Sequence, residues 1–173
     1  MNLIKYLLPI WGLVMYVESS VMAEVQKQPI IIESDLAERN DKTGLTLYKG
    51  DVVIQQGSMI IAANEVTVFY ESDDVSRIRC EGKPASFQQQ DQSGERVLAR
   101  AETINYEPGT ELVTLKTNAS LSHKGTQIKG DSINYDLRNE SWKAKGDNQS
   151  TQKRIQLVIP PSSINDSEPE SQQ

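Results

Sequence analysis

The chain of 173 residues is predicted to be all-β, built from repeated short antiparallel strands, and three features of its sequence predict this fold. Apolar and polar residues alternate from about residue 30 onward, which is the period of a strand with one buried face. Turn-forming residues interrupt the alternation at short intervals. The pattern also recurs, because Val52, Ala85 and Ala119 begin three similar units at spacings of 33 and 34 residues.

The first 23 residues do not share this pattern and are expected to be a cleaved signal peptide. Lys5 provides a positive start, residues 4–17 are mostly apolar, and Val21-Met22-Ala23 has the small-x-small form of a signal peptidase site. A retained membrane anchor is the alternative, although the apolar run is shorter than the ~20 residues of a spanning helix. The exported part is expected to be one β-domain, residues 24–161, followed by a disordered acidic tail at 162–173.

Two short strands and one longer strand are expected before the repeats begin. The alternation predicts a first strand at residues 29–33 and a weak second strand at residues 36–40. In the strand that follows, residues 43–49, the alternation predicts that Leu45 and Leu47 face inward.

Each repeat unit is predicted to consist of strand, turn, strand, corner and strand. A small residue beside an acid or amide marks the corner at Ala63-Asn64, Ala101-Glu102 and Gly130-Asp131, where the alternation changes parity. Gly50-Asp51 is expected to be a turn into the first unit, and residues 154–159 to be the last strand. The exported chain should therefore contain thirteen to sixteen short strands and no helix.

The composition argues against several classes of function. A formal net charge of -6 disfavours nucleic acid as a partner, because such binding depends on cation contacts with phosphates. His123 is the sole histidine, so a histidine pair cannot hold a metal, and no serine or cysteine lies in a nucleophile motif. Cys80 follows Ile78 in the alternation and is expected to be a small core residue. We therefore expect no enzymatic activity, no metal and no cofactor.

The inner face of the sheet is the remaining candidate site. Its apolar residues either fill the core of a sandwich or barrel, or line an apolar channel between sheets that do not close. Small inner residues leave space and favour the channel; they are Ala63, Ala85, Ala99, Ala101 and Ala119. The residues by themselves leave both interpretations open.

Five segments, taken together, give a more specific expectation. They are QPIIIESD at 28–35, GDVVIQQG at 50–57, GKPASF at 82–87, IKGDSINY at 128–135 and RIQLVIP at 154–160. In this order, over nearly the whole exported chain, they resemble the OstA-like (LptA) family of periplasmic lipopolysaccharide transport proteins. The resemblance implies an open, twisted antiparallel β-jellyroll in the periplasm that binds the acyl chains of lipid A in its groove.

The same resemblance implies partners and contact residues. The partners would be lipopolysaccharide, an LptC-like inner-membrane protein, an LptD-like outer-membrane protein, and further copies of this chain stacked head to tail. Lipid contacts of the family's first strand fall on Ile30 and Ile32. The expected lipid-binding set is Ile30, Ile32, Leu45, Leu47, Val52, Ile54, Ile61, Val66, Val68, Phe87, Ile104, Tyr106, Leu121, Ile133 and Tyr135. The expected partner-binding edges hold Ile30, Ile31, Ile32, Ile155, Leu157 and Ile159.

One position departs from the family pattern. A basic residue of the family falls on Tyr70, and Arg77, Arg79 or Lys83 are the candidates to replace its contact with phosphate.

The rival function is a periplasmic β-repeat adaptor that binds only protein edges and has a filled core, and an exported enzyme ranks third.

Overall fold

The computed structural model describes residues 28–147 and 154–161, and every regular element between Ile31 and Val158 is a β-strand. The expected signal peptide and acidic tail lie outside the described residues. Within the described part, no helix has the length and apolar character needed to cross a bilayer. The strands are β1 (Ile31–Glu33), β2 (Leu36–Asn40), β3 (Leu45–Gln56), β4 (Met59–Glu71), β5 (Asp74–Gln90), β6 (Arg96–Glu107), β7 (Leu112–His123), β8 (Thr126–Asp136), β9 (Ser141–Lys145) and β10 (Gln156–Val158).

These strands form one antiparallel sheet that does not close. Its order is β1-β3-β4-β5-β6-β7-β8-β10, with β2 also paired to β3 and β9 also paired to β8. At one end, β1 and β2 pair with different halves of β3. At the other end, β9 and β10 pair with different halves of β8. Each end of the sheet therefore presents two short strands.

A row of irregularities crosses the six long strands, β3 to β8, and bends each of them. The pairing register shifts at the same level between every neighbouring pair of these strands. We call this level the corner row; it comprises Gly50-Asp51, Asn64, residues 82–84, Glu102, Thr117-Asn118 and Asp131. Extra residues of this kind bend a strand and increase its twist. Several have a left-handed φ, among them Gly50 at 81° and Thr117 at 64°.

The corner row divides the sheet into two layers that face each other. Layer 1 contains β1, β10 and the strand segments 52–56, 59–62, 85–90, 96–101, 119–123 and 126–130. Layer 2 contains β2, β9 and the segments 45–49, 65–71, 74–81, 103–107, 112–116 and 132–136. The rings of Phe87 in layer 1 and Tyr106 in layer 2 meet with centroids 6.5 Å apart. Inner side chains of the two layers thus form a single core.

The predicted all-β fold is confirmed, but the described residues form fewer strands than were predicted. The described part has ten strands where thirteen to sixteen were predicted. Six of the ten cross the corner row, so that each supplies one segment to each layer, and counting these segments separately gives sixteen. The predicted corners at Asn64, Glu102 and Asp131 are confirmed as register shifts. The predicted turn at Gly50-Asp51 is wrong, because β3 continues through it as a bulge.

Small residues line the corner row, where the two layers converge. Ala85 pairs with Ala101 and Ala119 pairs with Gly130, directly beside the register shifts. Ala85, Ala101 and Ala119 are 0–2% exposed. The alanines that suggested a channel therefore fill the narrow side of the interior, where larger side chains would overpack it.

The prediction that Leu45 and Leu47 face inward is wrong. Thr46 is 5% exposed and Tyr48 packs against the core, so the leucines lie on the other face of β3. The cause is the two-residue bulge at Gly50-Asp51, which preserves parity from Thr46 to Val52. If the chain turned at Gly50-Asp51, the side chains that face inward after the turn would not determine which side chains face inward before it. Cys80, by contrast, is a core residue as predicted, and burial raises the pKa of its thiol to about 12.

Gly82→Ala should lower the free energy of unfolding by about 1–3 kcal/mol, the usual cost of overpacking. A Cβ at residue 82 would lie 2.7 Å from the backbone nitrogen of Ala85, which the corner row holds in place. Urea denaturation measures the effect. Gly109→Ala is the matched control, because a Cβ there meets nothing within 4 Å, and it should stay within about 0.5 kcal/mol of wild type. Equal effects at both glycines would show that the corner row does not restrict residue 82.

Candidate functional site

The interior between the layers contains most of the predicted lipid-binding residues, and they fill it. Eleven of the fifteen are buried, with exposures of 6% or less; they are Val52, Ile54, Ile61, Val66, Val68, Phe87, Ile104, Tyr106, Leu121, Ile133 and Tyr135. Ile30 and Ile32 are half-buried against the same core, and Leu45 and Leu47 are half-buried on the outer face. In this structure the buried members are a packed core, and their contact with lipid stays a prediction.

Opposite the corner row, the interior is bounded by two lips made of turns. The lip of layer 1 consists of the turns at 57–58, 91–95 and 124–125. The lip of layer 2 consists of the turns at 41–44, 72–73, 108–111 and 137–140. Since consecutive strand segments join only through these turns, no backbone hydrogen-bond ladder connects the lips. Among the residues that the structure describes, the contacts that cross between the two lips are made by side chains.

At the C-terminal end of the interior, a polar cluster ties the lips together. We call it the clasp; its members are Asp91, His123, Lys124, Tyr135 and Glu140. Lys124 Nζ of layer 1 lies 2.8 Å from a carboxylate oxygen of Glu140 in layer 2. Tyr135 Oη of layer 2 lies 3.3 Å from His123 Nδ1 in layer 1, and their rings meet edge to face at 6.0 Å. Two contacts therefore bridge the lips within one cluster.

Asp91 organises the layer 1 side of the clasp. Its Oδ1 accepts hydrogen bonds from the backbone nitrogens of Ser93 and Glu95 at 2.9 and 2.8 Å, which closes the turn around a side chain only 3% exposed. Its Oδ2 lies 2.8 Å from His123 Nε2. The hydrogen bond with His123, followed by that from the Ser93 hydroxyl, holds the pKa of Asp91 well below its usual range.

Tyr135 completes the connection to layer 2. Burial raises the pKa of Tyr135 to about 12, so its hydroxyl keeps its proton near neutral pH. That hydroxyl lies within hydrogen-bond distance of His123 Nδ1, while His123 Nε2 lies within hydrogen-bond distance of Asp91, so the imidazole ring bridges the two side chains. His123, predicted to be a polar residue beside a turn, therefore acts as a structural link between the layers.

Asp91, His123 and Glu140 bring their ligand atoms within 4.8 Å of one another, a spacing that a cation would require. Lys124 already supplies the positive charge, since its Nζ lies 2.8 Å from Glu140 and 3.5 Å from Asp91. The ammonium group of Lys124 thus supplies the positive charge that a metal ion would supply, and the cluster is an ion-pair network. Sequence reasoning missed Asp91, although the Asp-x-Ser-Gly pattern at 91–94 is a turn signal.

The N-terminal end of the interior has a different character. Among the described residues, no side-chain hydrogen bond or ion pair connects the turn at 57–58 with the turns at 41–44 and 72–73. Tyr48 and Tyr70 are half-buried there, and the guanidinium carbon of Arg39 lies 4.9 Å from the centroid of the Tyr70 ring. We call the group Arg39, Thr46, Tyr48 and Tyr70 the mouth.

The three predicted replacements for a cation near Tyr70 do not point into the interior. Arg77 pairs with Phe69 and lies over its ring at 4.1 Å on the outer face of layer 2. Arg79 is on the same outer face and bonds Glu81 at 2.7 Å. Lys83 is exposed in the corner row. The structure instead brings Arg39 to Tyr70, which the sequence pattern did not reveal because β2 is short and exposed throughout.

Apolar side chains remain exposed at both ends of the sheet. In β1, Ile31 is 53% exposed while Ile32 faces the core. Around β10 the exposures are 46% for Ile155, 45% for Leu157 and 53% for Ile159. The predicted last strand is confirmed, although its paired part is only Gln156–Val158. Both β1 and β10 have one unpaired edge in the described structure.

Comparison with known proteins connects this architecture to a family. Residues 31–141 match the family described as LptA/(LptD N-terminal domain) LPS transport protein. The chain is 32% identical to the lipopolysaccharide export system protein LptH of Pseudomonas aeruginosa over 170 residues, covering 93% of this chain and 97% of LptH. It is 33% identical to the lipopolysaccharide export system protein LptA of Escherichia coli strain K12 over 141 residues, covering 80% and 75% of the two chains.

A solved structure shows the same fold. The crystal structure of LptH, described as the LptA-homologous periplasmic component of the conserved lipopolysaccharide transport device from Pseudomonas aeruginosa, superposes with a TM-score of 0.72 at 32% identity. The match covers 78% of this chain and 96% of that one. The open, twisted antiparallel jellyroll is thereby confirmed.

Asp91→Asn should destabilise the protein at neutral pH, and the difference from wild type should shrink in acid. The folded-state pKa of Asp91 is depressed, so its stabilisation is complete above the unfolded value of about 3.9 and is lost as pH falls through the folded pKa. Urea midpoints measured from pH 7 down to about pH 3 test this. The exposed Asp74 gives the control variant Asp74→Asn. A difference from wild type that is independent of pH would contradict a charge-dependent role for Asp91.

Proposed function

The chain belongs to the LptA/(LptD N-terminal domain) family of LPS transport proteins, and we propose that it is a periplasmic, non-catalytic carrier of lipopolysaccharide. In this proposal the acyl chains of lipid A lie between the two layers. Copies of the chain then join head to tail between an LptC-like protein at the inner membrane and an LptD-like protein at the outer membrane.

The observation that carries the proposal is an apolar interior that continues from one open end of the sheet to the other. Half-buried Ile30 and Ile32 extend the core at the β1 end. At the other end, Leu157 pairs with the buried Ile128 and continues the inner face at 45% exposure. A globular domain normally buries such positions; here the inner surface simply ends at a free edge.

This construction suits a lipid with several acyl chains. Each CH₂ kept from water is worth about 0.8 kcal/mol, so the chains need continuous shielding across an aqueous compartment. An interior open along one side shields them while the sugar and phosphate groups stay in water. The step requires no covalent chemistry.

Because side chains pack the interior, loading requires the layers to part. The side between the lips has no backbone ladder, and at the N-terminal end no polar side-chain contact bridges it within the described residues. Acyl chains that enter the interior replace apolar contacts between the layers, such as that between Phe87 and Tyr106, with other apolar contacts. The exchange therefore loses little free energy of burial.

Assembly would use the free strand edges. An unpaired strand offers its backbone groups to an incoming strand, and exposed apolar side chains add burial. Layer 1 ends in β1 and β10, and layer 2 ends in β2 and β9. A copy placed end to end therefore continues both layers and the interior between them. A contact of this kind does not close on itself and grows as a filament.

The filled core favours a second candidate, an adaptor that binds only protein edges. All eleven buried members of the predicted lipid-binding set belong to one packed cluster, as the residues of a purely structural core would. Native mass spectrometry of the protein purified from lipopolysaccharide-producing cells separates the two functions, because only the carrier retains lipid.

Ile32→Asp should strongly reduce lipid loading, by about tenfold or more, because it places a charge on the inner face. Ile31→Asp is the matched control, since Ile31 is the preceding residue and points outward at 53% exposure. Lipopolysaccharide retained by each purified variant is the measurement. Equal loading of the two variants would contradict a lipid path along β1.

A photo-crosslinking amino acid at residue 30, 32 or 87 should also capture lipopolysaccharide in living cells. Residue 87 is the most demanding position, because Phe87 is 2% exposed and becomes accessible only if the layers part. The neighbouring outward position, Ser86, provides the control. Absence of lipid adducts at all three inner positions would remove the groove from the proposal.

Leu157→Arg should shift concentration-dependent oligomers toward monomer, because it puts a charge on the free edge at β10. Gln127→Arg is the control, since it adds the same charge on the exposed outer face of β8. Sedimentation or small-angle scattering across a concentration series reports the change. A wild-type protein that stays monomeric at every concentration would argue against stacking.

A further inference from the structure

Arg39 is the one arginine of the ten described strands that faces the interior. It pairs with Thr46, whose side chain is buried, and directly paired residues project from the same face of a sheet. The other strand arginines, Arg77, Arg79, Arg96 and Arg100, alternate with buried residues and project outward. A single guanidinium therefore lies at the entrance to an otherwise apolar interior.

Thr46 beside it lacks a hydrogen-bond partner. Its hydroxyl oxygen is the one buried side-chain polar atom of the described residues with no partner, and the residue is only 5% exposed. Leaving such a group unpaired costs free energy, so this hydroxyl gains stabilisation from any polar group that reaches it. Its cross-strand position puts its Cβ about 4.5–5.5 Å from that of Arg39.

Two tyrosines complete the group. Tyr70 presents its ring to the Arg39 guanidinium at 4.9 Å, and Tyr48 is two residues beyond Thr46 on the same face of β3. Burial, followed by the electrostatic effect of Tyr70, raises the pKa of Tyr48, and the positive charge of Arg39 lowers it. The three side chains are therefore close enough to interact electrostatically. Phenol rings of this kind offer both a hydroxyl donor and a flat apolar face on which a sugar ring packs.

The present partner of Arg39 is easily displaced. Its Nε donates to Asp41, whose side chain is 81% exposed. Solvent-exposed ion pairs contribute little, whereas a phosphate offers a guanidinium two parallel, charge-assisted hydrogen bonds. At the clasp, by contrast, Lys124 is held by two carboxylates, those of Glu140 and Asp91.

We propose that Arg39, Thr46, Tyr48 and Tyr70 form a binding site for a phosphorylated sugar headgroup at the mouth of the interior. The site rests on the proposed carrier function, because the acyl chains attached to that headgroup would occupy the adjacent groove. Arg39 binds the phosphate, Thr46 gains the hydrogen-bond partner that it lacks, and the tyrosines hold the sugar. The mouth thereby selects lipids that carry a phosphate on the sugar.

The test compares the full chain with its variants for binding to diphosphoryl lipid A and to the same lipid without phosphates. Arg39→Gln should weaken binding of diphosphoryl lipid A by roughly tenfold and leave the dephosphorylated lipid unchanged, since a bidentate charged contact is lost. Arg79→Gln is the control, because Arg79 also bonds a carboxylate but lies on the outer face of the same layer. Arg39→Lys should recover part of the affinity.

Thr46→Val gives an independent signature. Removing an unpaired buried hydroxyl should keep or raise the melting temperature, yet the same change should weaken binding of diphosphoryl lipid A severalfold. A role confined to packing would move only the melting temperature. Unchanged affinity in both Arg39→Gln and Thr46→Val, in a wild-type protein that binds the lipid, would overturn the headgroup site while the carrier function stands.

Two further outcomes separate the possibilities. If wild type binds neither lipid, the carrier function itself fails. Inorganic phosphate, added as a competitor, should not displace the lipid at equal concentration. If it binds wild type as tightly as diphosphoryl lipid A does, and Arg39→Gln abolishes that binding, the site accepts free phosphate and the lipid assignment is overturned.

Discussion

The structure depends on one constraint, which is that six long strands must pass from one layer to the other without losing their backbone partners. The corner row meets this constraint by inserting unpaired residues at the same level of every strand, so that the ladder resumes on the far side. Gly82 illustrates how tight this passage is, because a Cβ there would meet the Ala85 backbone at 2.7 Å. A single sheet thereby folds into two facing layers, and continuous strands join the layers on that side.

Because the strands join the layers at the corner row, the opposite side depends on a different kind of contact. On the corner-row side the paired strands continue from one layer into the other, whereas within the described residues the contacts between the lips are made by side chains. At one end the crossing is made by the clasp, through Lys124–Glu140 and Tyr135–His123. At the other end the described residues make no comparable polar connection, and half-buried Ile32 and Tyr70 cover the core. In the described structure, polar contacts between the layers are therefore concentrated at the C-terminal end of the interior.

Sequence periodicity predicted the fold and most of the inner face, because burial on one face of a strand leaves a regular mark. It failed at Leu45 and Leu47, where a two-residue bulge was mistaken for a turn and the parity was carried across it wrongly. It could not find Arg39 or Asp91, because each acts through partners far away in sequence. Arg39 lies 31 residues from Tyr70 and Asp91 lies 32 from His123, and only the strand register brings them together.

The division between apolar and charged groups follows from the same geometry. An unpaired charge deep between the layers would be too costly, so the charged side chains that approach the interior lie at its lips and mouth. At the clasp, Lys124 pairs with both Asp91 and Glu140, so its positive charge is engaged by carboxylates of the protein itself. Arg39 lies over the Tyr70 ring and pairs with the exposed carboxylate of Asp41, and its side chain is itself 53% exposed, so its charge is available to solvent. The two ends of the interior are therefore chemically different: one is closed by internal ion pairing, and the other has a cation beside an apolar entrance. The two ends of the interior can therefore be distinguished by their chemistry, which would not be possible if both ends carried the same groups.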